Sequence, residues 1–578
     1  MYTDAVMNIA PLSSAFVRSR VEAFLSAQGL RLDSVETYIT LNDPETDEIL
    51  AGGGIEGDVI KCVAVSDKAR GTGVSAKLVT ELLRMETENS RDSAKVFTKA
   101  DNVSIFESLG FRKIADGGEA VLLENGRGLE RYLSYLKSVA GACSESRRGV
   151  MVINANPLTE GHVRLIEHAA SMVERLFIIP VREERSRFPY SERRAMIDKA
   201  CAGMDGVTVL EGSPYSISAA TFPTYFLKDL SHAAEIQMRL DADLFARHIA
   251  PALGATVRFV GSEPLDPMTD RYNSILADTL AREGMSLQLI ERFAKDGRPV
   301  SATEVRAAID TGNVSRVLGV LPDASVPYVL AEACTAALRQ ELELKPKPGL
   351  VTPDSQGAHR DMDYKLMLRS IETLRPYFAE MALCRLTGPS GEPDAGELRA
   401  IAMDAEKAML EATAGVNTHK GALFCLGLAL AAKVISLHHG GELSTLITAL
   451  AAQIPAAEDT HGAEVRRRFG VKGALTQALD GYPQLWHSWL PYYRSLENDS
   501  YRLHRTLLLI MSELEDSNIY YRKGPAIAAA VRSEAASMLE HFSIASLMDL
   551  GDTFVAKGIS PGGAADMLAL TIFINSII

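Results

Sequence analysis

Gly149-Val-Met-Val-Ile-Asn-Ala-Asn-Pro-Leu-Thr-Glu-Gly-His162 is the stretch around which the rest of the chain is read. Val150 to Ile153 is a short apolar run bounded by turn formers, the pattern of a buried parallel strand. Asn154 to Gly161 supplies the turn. A helix then opens near His162, with Ile166, Ala169, Ala170 and Val173 on one face. Strand, polar turn and helix in that order put a helix N-terminus, with its free N–H groups, beside a ligand's phosphates.

At 578 residues the chain is too long for one core, and three domains are expected. Nearly half the residues are apolar, so each domain can bury a core. The net charge of −14 argues against a general nucleic-acid binder. Cys62, Cys143, Cys201, Cys334, Cys384 and Cys425 are widely spaced, with no C-x-x-C pair. That spacing excludes a disulfide scaffold and a structural zinc site. No signal peptide is evident at the start. The longest apolar run, Ala422 to Ala432, is broken by Lys433 and reads as too short to span a bilayer. A reduced cytoplasmic enzyme, with no membrane or nucleic-acid partner, is the expectation.

Residues 1–125 read as a small α/β domain. Val59 to Val65 is strand-like, Arg70-Gly-Thr-Gly-Val-Ser75 follows, and Ala76 to Glu86 is a helix with Leu78, Val79, Leu82 and Leu83 apolar. A glycine turn between strand and helix exposes N–H groups to an anion such as a pyrophosphate. This loop resembles that of the GCN5-related N-acetyltransferases, and Asn102, Phe106 and Leu109-Gly-Phe111 resemble the same family's later helix and strand. The resemblance implies a GNAT-like fold in which Arg70, Gly71, Gly73 and Asn102 meet a CoA or pantetheine-like arm. Ser75 stands where that loop ends in Gly or Ala.

Residues 126–148 read as a polar, helical connector, and residues 149–333 as a Rossmann-like nucleotide-binding domain. Its further strands are expected at Leu176 to Val181, Thr208 to Leu210 and Val257 to Val260. Charges crowd the end of the first of these, in Arg182-Glu-Glu-Arg-Ser-Arg-Phe-Pro-Tyr190, where a doubly wound sheet binds ligands. Thr159-Glu-Gly-His162 resembles the T-x-G-H signature of the nucleotidyltransferase superfamily. Val300-Ser-Ala-Thr-Glu-Val-Arg306 resembles its triphosphate-gripping segment. The resemblance implies that Asn156, Thr159, Gly161, His162, Arg193, Ser301, Thr303 and Arg306 bind ATP, with His162 catalytic at the α-phosphate. Asn156-Pro-Leu-Thr159, Ser186-Arg-Phe-Pro-Tyr190, Ala219-Ala-Thr-Phe-Pro223 and Arg258-Phe-Val-Gly-Ser-Glu-Pro264 narrow the resemblance to citrate lyase ligase, over about residues 1–333. That family uses ATP to turn acetate into acetyl-AMP. It then acetylates the prosthetic-group thiol on the citrate lyase acyl carrier subunit, and Mg²⁺ would share the charge neutralisation.

Residues 334–578 read as an all-α domain, because Ala, Leu and Met recur at helical spacing. Four polar clusters interrupt it. They are Lys345-Pro-Lys-Pro-Gly-Leu-Val351 with Gly357-Ala-His-Arg-Asp-Met-Asp363, Thr413-Ala-Gly-Val-Asn-Thr-His-Lys-Gly421, Glu515-Asp-Ser-Asn518 with Arg522 and Gly524, and Ser560-Pro-Gly-Gly-Ala-Ala-Asp566. Glycines beside carboxylates, His and Lys at helix starts suit phosphates and a divalent cation. Asp361 and Asp363 would not share a helix face but could jointly hold a metal on an extended turn.

These clusters, with Arg466-Arg-Arg-Phe-Gly-Val-Lys-Gly473 and Gly481-Tyr-Pro483, resemble triphosphoribosyl-dephospho-CoA synthase, which joins the ribose of ATP to dephospho-CoA and releases adenine. Ala414 stands where that family more usually has glycine. The expected triphosphate and ATP residues are Lys347, His359, Asn417, His419, Lys420, Arg522, Gly562 and Gly563. Asp361, Asp363 or Asp516 would hold Mg²⁺, and Asp566 is the candidate catalytic carboxylate at the sugar.

Two rival readings remain at this point. The T-x-G-H domain could adenylylate a phosphate, as pantetheine-phosphate and nicotinamide-mononucleotide adenylyltransferases do, beside a rear domain serving malonate decarboxylase. A nucleotide-sensing scaffold without chemistry is the other.

Overall fold

A computed structural model describes residues 4–142, 145–184, 186–217, 222–227, 232–262, 267–291, 293–295, 298–456 and 461–578. Arg185, Ala219 to Thr221, Glu263 and Pro264, all in stretches singled out above, lie outside the described residues. The chain forms two compact units, Met1–Val300 and Ser301–Ile578. Residues 301–333, expected at the end of the nucleotide-binding domain, lie in the second unit.

The first unit holds two large sheets and a two-stranded ribbon, Ala294–Lys295 with Arg298–Pro299. A seven-stranded one runs Val6–Ile9, Thr37–Asn42, Ile49–Glu56, Val59–Val65, Ser93–Lys99, Ala120–Gly126 and Arg112–Asp116 from edge to edge. Its pairings are antiparallel except that of Val59–Val65 with Ser93–Lys99, which is limited to Val59 opposite Lys95 and Ile60 opposite Val96. The two strands part beyond Ile60. A register shift opposite Gly52 to Gly54 goes with it, and Cys62 sits at φ 54°, so the strand bulges where it leaves its neighbour.

The side of this splay that faces Tyr38, Cys62 and Phe97 is filled by the chain itself. The Phe222 and Phe97 rings meet edge to face at 5.6 Å. Arg31 holds the inserted segment by N–H to the Tyr225 carbonyl at 3.2 Å and by its guanidinium to the Thr224 carbonyl at 2.7 Å. The Cys62 backbone N–H, turned out by the bulge, donates to the buried Tyr225 hydroxyl. Tyr225→Phe therefore strands a buried amide, and we expect it to cost about 1–2 kcal/mol. Chemical denaturation measures this, and an unchanged midpoint would contradict it.

The five-stranded sheet is parallel throughout, in the order Val207–Val209, Arg175–Pro180, Arg148–Ile153, Val257–Gly261, Ser286–Ile290. The chain reverses its direction of winding between Arg148–Ile153 and Val257–Gly261, which opens a crevice at their carboxyl ends. Helix Gly128–Gly141, in the stretch expected as a polar connector, buries Leu129, Tyr132, Leu136 and Ala140 in a core cluster with residues of both sheets. Its polar residues lie on the outer face, which is why the stretch reads as a linker.

The second unit is helical, with no strand among its described residues. Helix Lys420–His439 is its centre, packed against Val326–Glu343, Tyr364–Leu383, Gly396–Ala412, Leu443–Ala451 and Gly562–Ile577. The apolar run read as too short continues through Lys433 into a helix long and apolar enough to cross a membrane by length and composition. Its stretch Cys425 to Ala432 is buried inside the unit, as in the core helix of a large bundle.

Candidate active sites

In the first unit, helix Glu160–Met172 starts at the carboxyl end of Arg148–Ile153, at the crevice. Thr159 is its N-cap, with a capping box to His162. The Thr159 N–H donates to His162 Nδ1 at 3.0 Å. Nδ1 is therefore an acceptor, and the neutral ring carries its proton on Nε2. The same cap that starts the helix fixes the tautomer of its histidine. Gly161 is tight: a Cβ there would lie 3.1 Å from the Val300 carbonyl oxygen. Asn156 accepts the Phe188 N–H on its side-chain oxygen at 3.1 Å and so ties the two loops together.

Arg193, expected to bind ATP, is fully buried and spent on the protein. Nε donates to the Phe188 carbonyl at 3.0 Å, Nη1 to those of Asn154 and Val181 at 2.9 and 2.8 Å, and Nη2 to that of Glu183 at 2.6 Å. It clamps the loops leaving two adjacent strands, which is a positioning task. Arg193→Met would leave four carbonyls without this donor. We expect a loss of about 3–5 kcal/mol of stability in thermal or denaturant unfolding, and unchanged unfolding would contradict the clamp.

Ser301, Thr303 and Arg306 fall in the second unit. Ser301 N-caps helix Ala302–Asp310, accepting the Thr303 N–H at 3.1 Å, and Arg306 donates to the Thr303 hydroxyl at 3.0 Å. In the seven-stranded sheet's loop, Gly71 and Gly73 have φ 75° and 84°, and nothing lies within 4 Å of where a Cβ would stand. Helix Val74–Glu88 follows, so Ser75 sits in its first turn. Arg70 is exposed and pairs with Asp67 at 2.8 Å, and Asn102 donates to the Thr98 hydroxyl at 3.0 Å.

The second unit encloses a cavity of about 830 Å³. Lys347, His359, Asp361, Asn417, His419, Lys420, Asp516, Arg522, Gly562, Gly563 and Asp566 all line it, so residues of all four polar clusters come together there. Asp363 is different: its carboxylate accepts the Leu366 N–H at 2.7 Å and caps helix Tyr364–Leu383, while Asp361 alone of the two lines the cavity.

Two carboxylates, the buried Asp516 and the half-buried Asp566, sit where helices begin. Asp516 accepts the N–H of Asn518 at 2.9 Å and of Ala564 at 3.1 Å, stapling two helix starts together. Asp566 accepts the Ala422 N–H at the start of Lys420–His439. A Cβ on Gly421 would lie 2.0 Å from Asp566 Oδ2, so only glycine leaves room there. Burial, then Asp516 and Glu341, push the Asp566 carboxyl well above its usual range, and burial raises Asp516 as well. Two such groups in one cavity favour keeping a proton.

Lys347 is buried, donating to the Glu341 carboxylate and carbonyl at 2.6 Å each. Lys420 pairs with Glu406 at 2.5 Å, and Asn417 accepts the Lys420 N–H at 3.3 Å. His359 Nε2 lies 2.8 Å from the Ser560 hydroxyl, and burial followed by Arg522 lowers its pKa. Among the described residues no three His, Cys, Asp or Glu side chains converge as a ready metal cage. Asp361 and Asp516, which both line the cavity, nonetheless fit Mg²⁺, which usually takes one or two carboxylates and completes its shell with phosphate oxygens and water. Ala414 has φ 53°, the left-handed region, which gives a physical reason for glycine there. Glu341, Ser370, Thr418 and Ser560 belong to this site or support it and were not among the expected site residues. Ser370 carries no sequence signal, because a small hydroxyl inside a helix reads as packing, whereas Thr418 lies within the second of the polar clusters.

Comparison with known proteins follows this division. The family model described as citrate lyase ligase C-terminal domain matches residues 148–329, and that described as ATP:dephospho-CoA triphosphoribosyl transferase matches 327–578. The [Citrate [pro-3S]-lyase] ligase of Klebsiella pneumoniae is 37% identical over 319 residues, covering 54% of this chain and 92% of that one. A protein of Azotobacter vinelandii named "Probable 2-(5''-triphosphoribosyl)-3'-dephosphocoenzyme-A synthase" is 34% identical over 281 residues, covering 46% and 96%. The chain belongs to both families. It is a fusion of a citrate lyase ligase with a triphosphoribosyl-dephospho-CoA synthase, a ligase and a transferase in one polypeptide. A solved structure described as an acyl-CoA N-acyltransferase from Klebsiella pneumoniae matches 22% of this fusion and 99% of its own chain, at 13% identity and a TM-score of 0.19. That score is too low to bear on the fold.

Proposed function

We propose that this fusion completes citrate lyase at two steps. The front half adenylylates acetate with ATP, giving acetyl-AMP and pyrophosphate, and passes the acetyl group to the prosthetic-group thiol of the acyl carrier subunit. The rear half joins ATP to dephospho-CoA, giving 2'-(5''-triphosphoribosyl)-3'-dephospho-CoA and adenine. The observation that carries this reading is the single cavity in which Lys347, His419, Asp516 and Asp566 meet from four separate sequence clusters. Residues 1–125 are a GNAT-like domain, 126–148 carry a helix packed against both large sheets, 149–300 are the Rossmann-like sheet domain of the ligase and 334–578 the synthase.

In the ligase, the carboxylate of acetate attacks the α-phosphate, so the site must align it and neutralise growing negative charge. His162 Nε2–H supplies a fixed donor at the helix start. Ser301, Thr303 and Arg306, in the second unit, carry a capped helix start and a guanidinium, groups that suit phosphates. The filled splay in the seven-stranded sheet supports a scaffold role there, and the open loop at Arg70, Gly71 and Gly73 is left as the place for a pantetheine-like arm's phosphates.

In the synthase, the bond from ribose C1′ to adenine breaks with its electron pair going to the base. The 2′-hydroxyl of dephospho-CoA bonds to C1′ and gives up its proton, and the departing base takes up one proton, so that neutral adenine is released with no net change in protons. Asp566 takes that proton or faces the cationic sugar, and Lys347, Lys420, Arg522 and the glycine start at Gly562 and Gly563 hold the triphosphate. Mg²⁺ held by Asp361 and Asp516 would neutralise phosphate charge when bound, leaving Asp566 to the sugar. The full chain given ATP should release adenine when dephospho-CoA is added and not without it. No adenine under these conditions would remove the rear activity.

A further inference from the structure

His419 is buried at the start of the central helix and lines the cavity. Its Nδ1 lies 2.8 Å from the Ser370 hydroxyl. That hydroxyl in turn accepts a hydrogen bond from the Thr418 hydroxyl at 2.7 Å. A hydroxyl has one proton: with Thr418 donating to it, Ser370 still has its own to place, and Nδ1 is the acceptor within reach, so we take Ser370 as the donor to Nδ1. Nδ1 is therefore the acceptor, and the ring proton sits on Nε2. Nε2 is buried and has no partner within the protein. A buried donor left unmade costs about 1–3 kcal/mol unless something else meets it. Burial and the nearby Lys347 keep the ring neutral, its pKa lowered to about 3.

We propose that Thr418 and Ser370 are positioning residues that lock His419 as an Nε2–H donor, and that this donor meets a ring nitrogen of the adenine leaving ATP. The inference rests on the synthase reading of the cavity. The phosphates already have Lys347, Lys420 and Arg522, whereas a neutral N–H in a pocket lined largely by apolar side chains, Met362, Met381 and Met567 among them, suits an uncharged heterocycle. As the C1′–N bond breaks, its electron pair moves onto the base and every ring nitrogen becomes a better acceptor. The hydrogen bond therefore strengthens toward the transition state. His419 keeps its proton throughout, since giving it up would leave an imidazolate beside two hydroxyls that are too weakly acidic to restore it.

The test uses the full chain labelled with ¹⁵N-histidine, with the His419 signals assigned by their absence in His419→Gln. The wild type should show the Nε2–H tautomer at neutral pH, with Nδ1 in the unprotonated range. An Nδ1–H tautomer, or an imidazolium, would overturn the proposal without touching the synthase reading. In Ser370→Ala, kcat for adenine release should fall on the order of tenfold to a hundredfold, with KM for ATP changed less than about threefold. Ser370→Thr, which keeps the hydroxyl, should recover most of the loss. Combined with His419→Gln, Ser370→Ala should add little. Full kcat in Ser370→Ala, or additive effects in the pair, would overturn the relay. Absent adenine release from the wild type would instead count against the synthase reading, and the tautomer measurement would still decide the relay.

Discussion

His162→Ala is expected to lower acetate-dependent exchange of pyrophosphate into ATP by about two to three orders of magnitude, or roughly 3–4 kcal/mol. Thr159 fixes the imidazole so that Nε2–H points away from the cap, and alanine removes that donor. It also removes half of a capping box, which alone costs about 1 kcal/mol. His162→Gln separates the two effects, since glutamine at this helix position closes a capping box but does not place the ring donor. It should recover stability and leave exchange low. Adenine release by the rear half should be unaffected in both variants. Exchange at the wild-type rate in His162→Ala would take His162 out of the chemistry.

Asp566→Asn should cut dephospho-CoA-dependent adenine release by about two to four orders of magnitude, because the amide neither takes a proton nor faces the sugar with charge. Its effect on stability has the opposite sign. The Asp566 carboxyl is raised in the folded protein by burial, Asp516 and Glu341. A raised acid favours folding below its unfolded pKa, and that advantage is lost as pH rises through the folded value. At pH 8 Asp566→Asn should therefore unfold at the same denaturant concentration as wild type or a higher one, and the gap should narrow toward pH 4. Gly421→Ala offers a second route, since its Cβ would stand 2.0 Å from Asp566 Oδ2 and force the carboxylate aside. Release at wild-type rate in either variant would remove Asp566 from the reaction.

Much of this was legible in the sequence where local chemistry and tertiary role coincide. The strand at Arg148–Ile153 and the helix from Glu160 were readable because an apolar run, a turn and a cap all point the same way. The rear clusters were readable because glycine, carboxylate and His or Lys rarely interrupt apolar helices without a ligand. Roles that depend on long-range partners were not. Arg193 looked like an ATP contact, yet its partners at Asn154, Val181 and Glu183 come from separate loops. Asp363 looked like half of a metal pair, yet it begins a helix. The insertion of Phe222 and Tyr225 beside Phe97 and Cys62 joins residues more than a hundred positions apart, which no local pattern reports.

The most direct measurement is to incubate the full chain with ATP, acetate and deacetylated citrate lyase and to score regained lyase activity, while a parallel sample with ATP and dephospho-CoA is scored for adenine. The wild-type chain should restore the lyase and release adenine, and His162→Ala should lose the first and keep the second. A chain that releases adenine yet never restores the lyase, with exchange of pyrophosphate driven by a phosphate acceptor instead of acetate, would contradict the account.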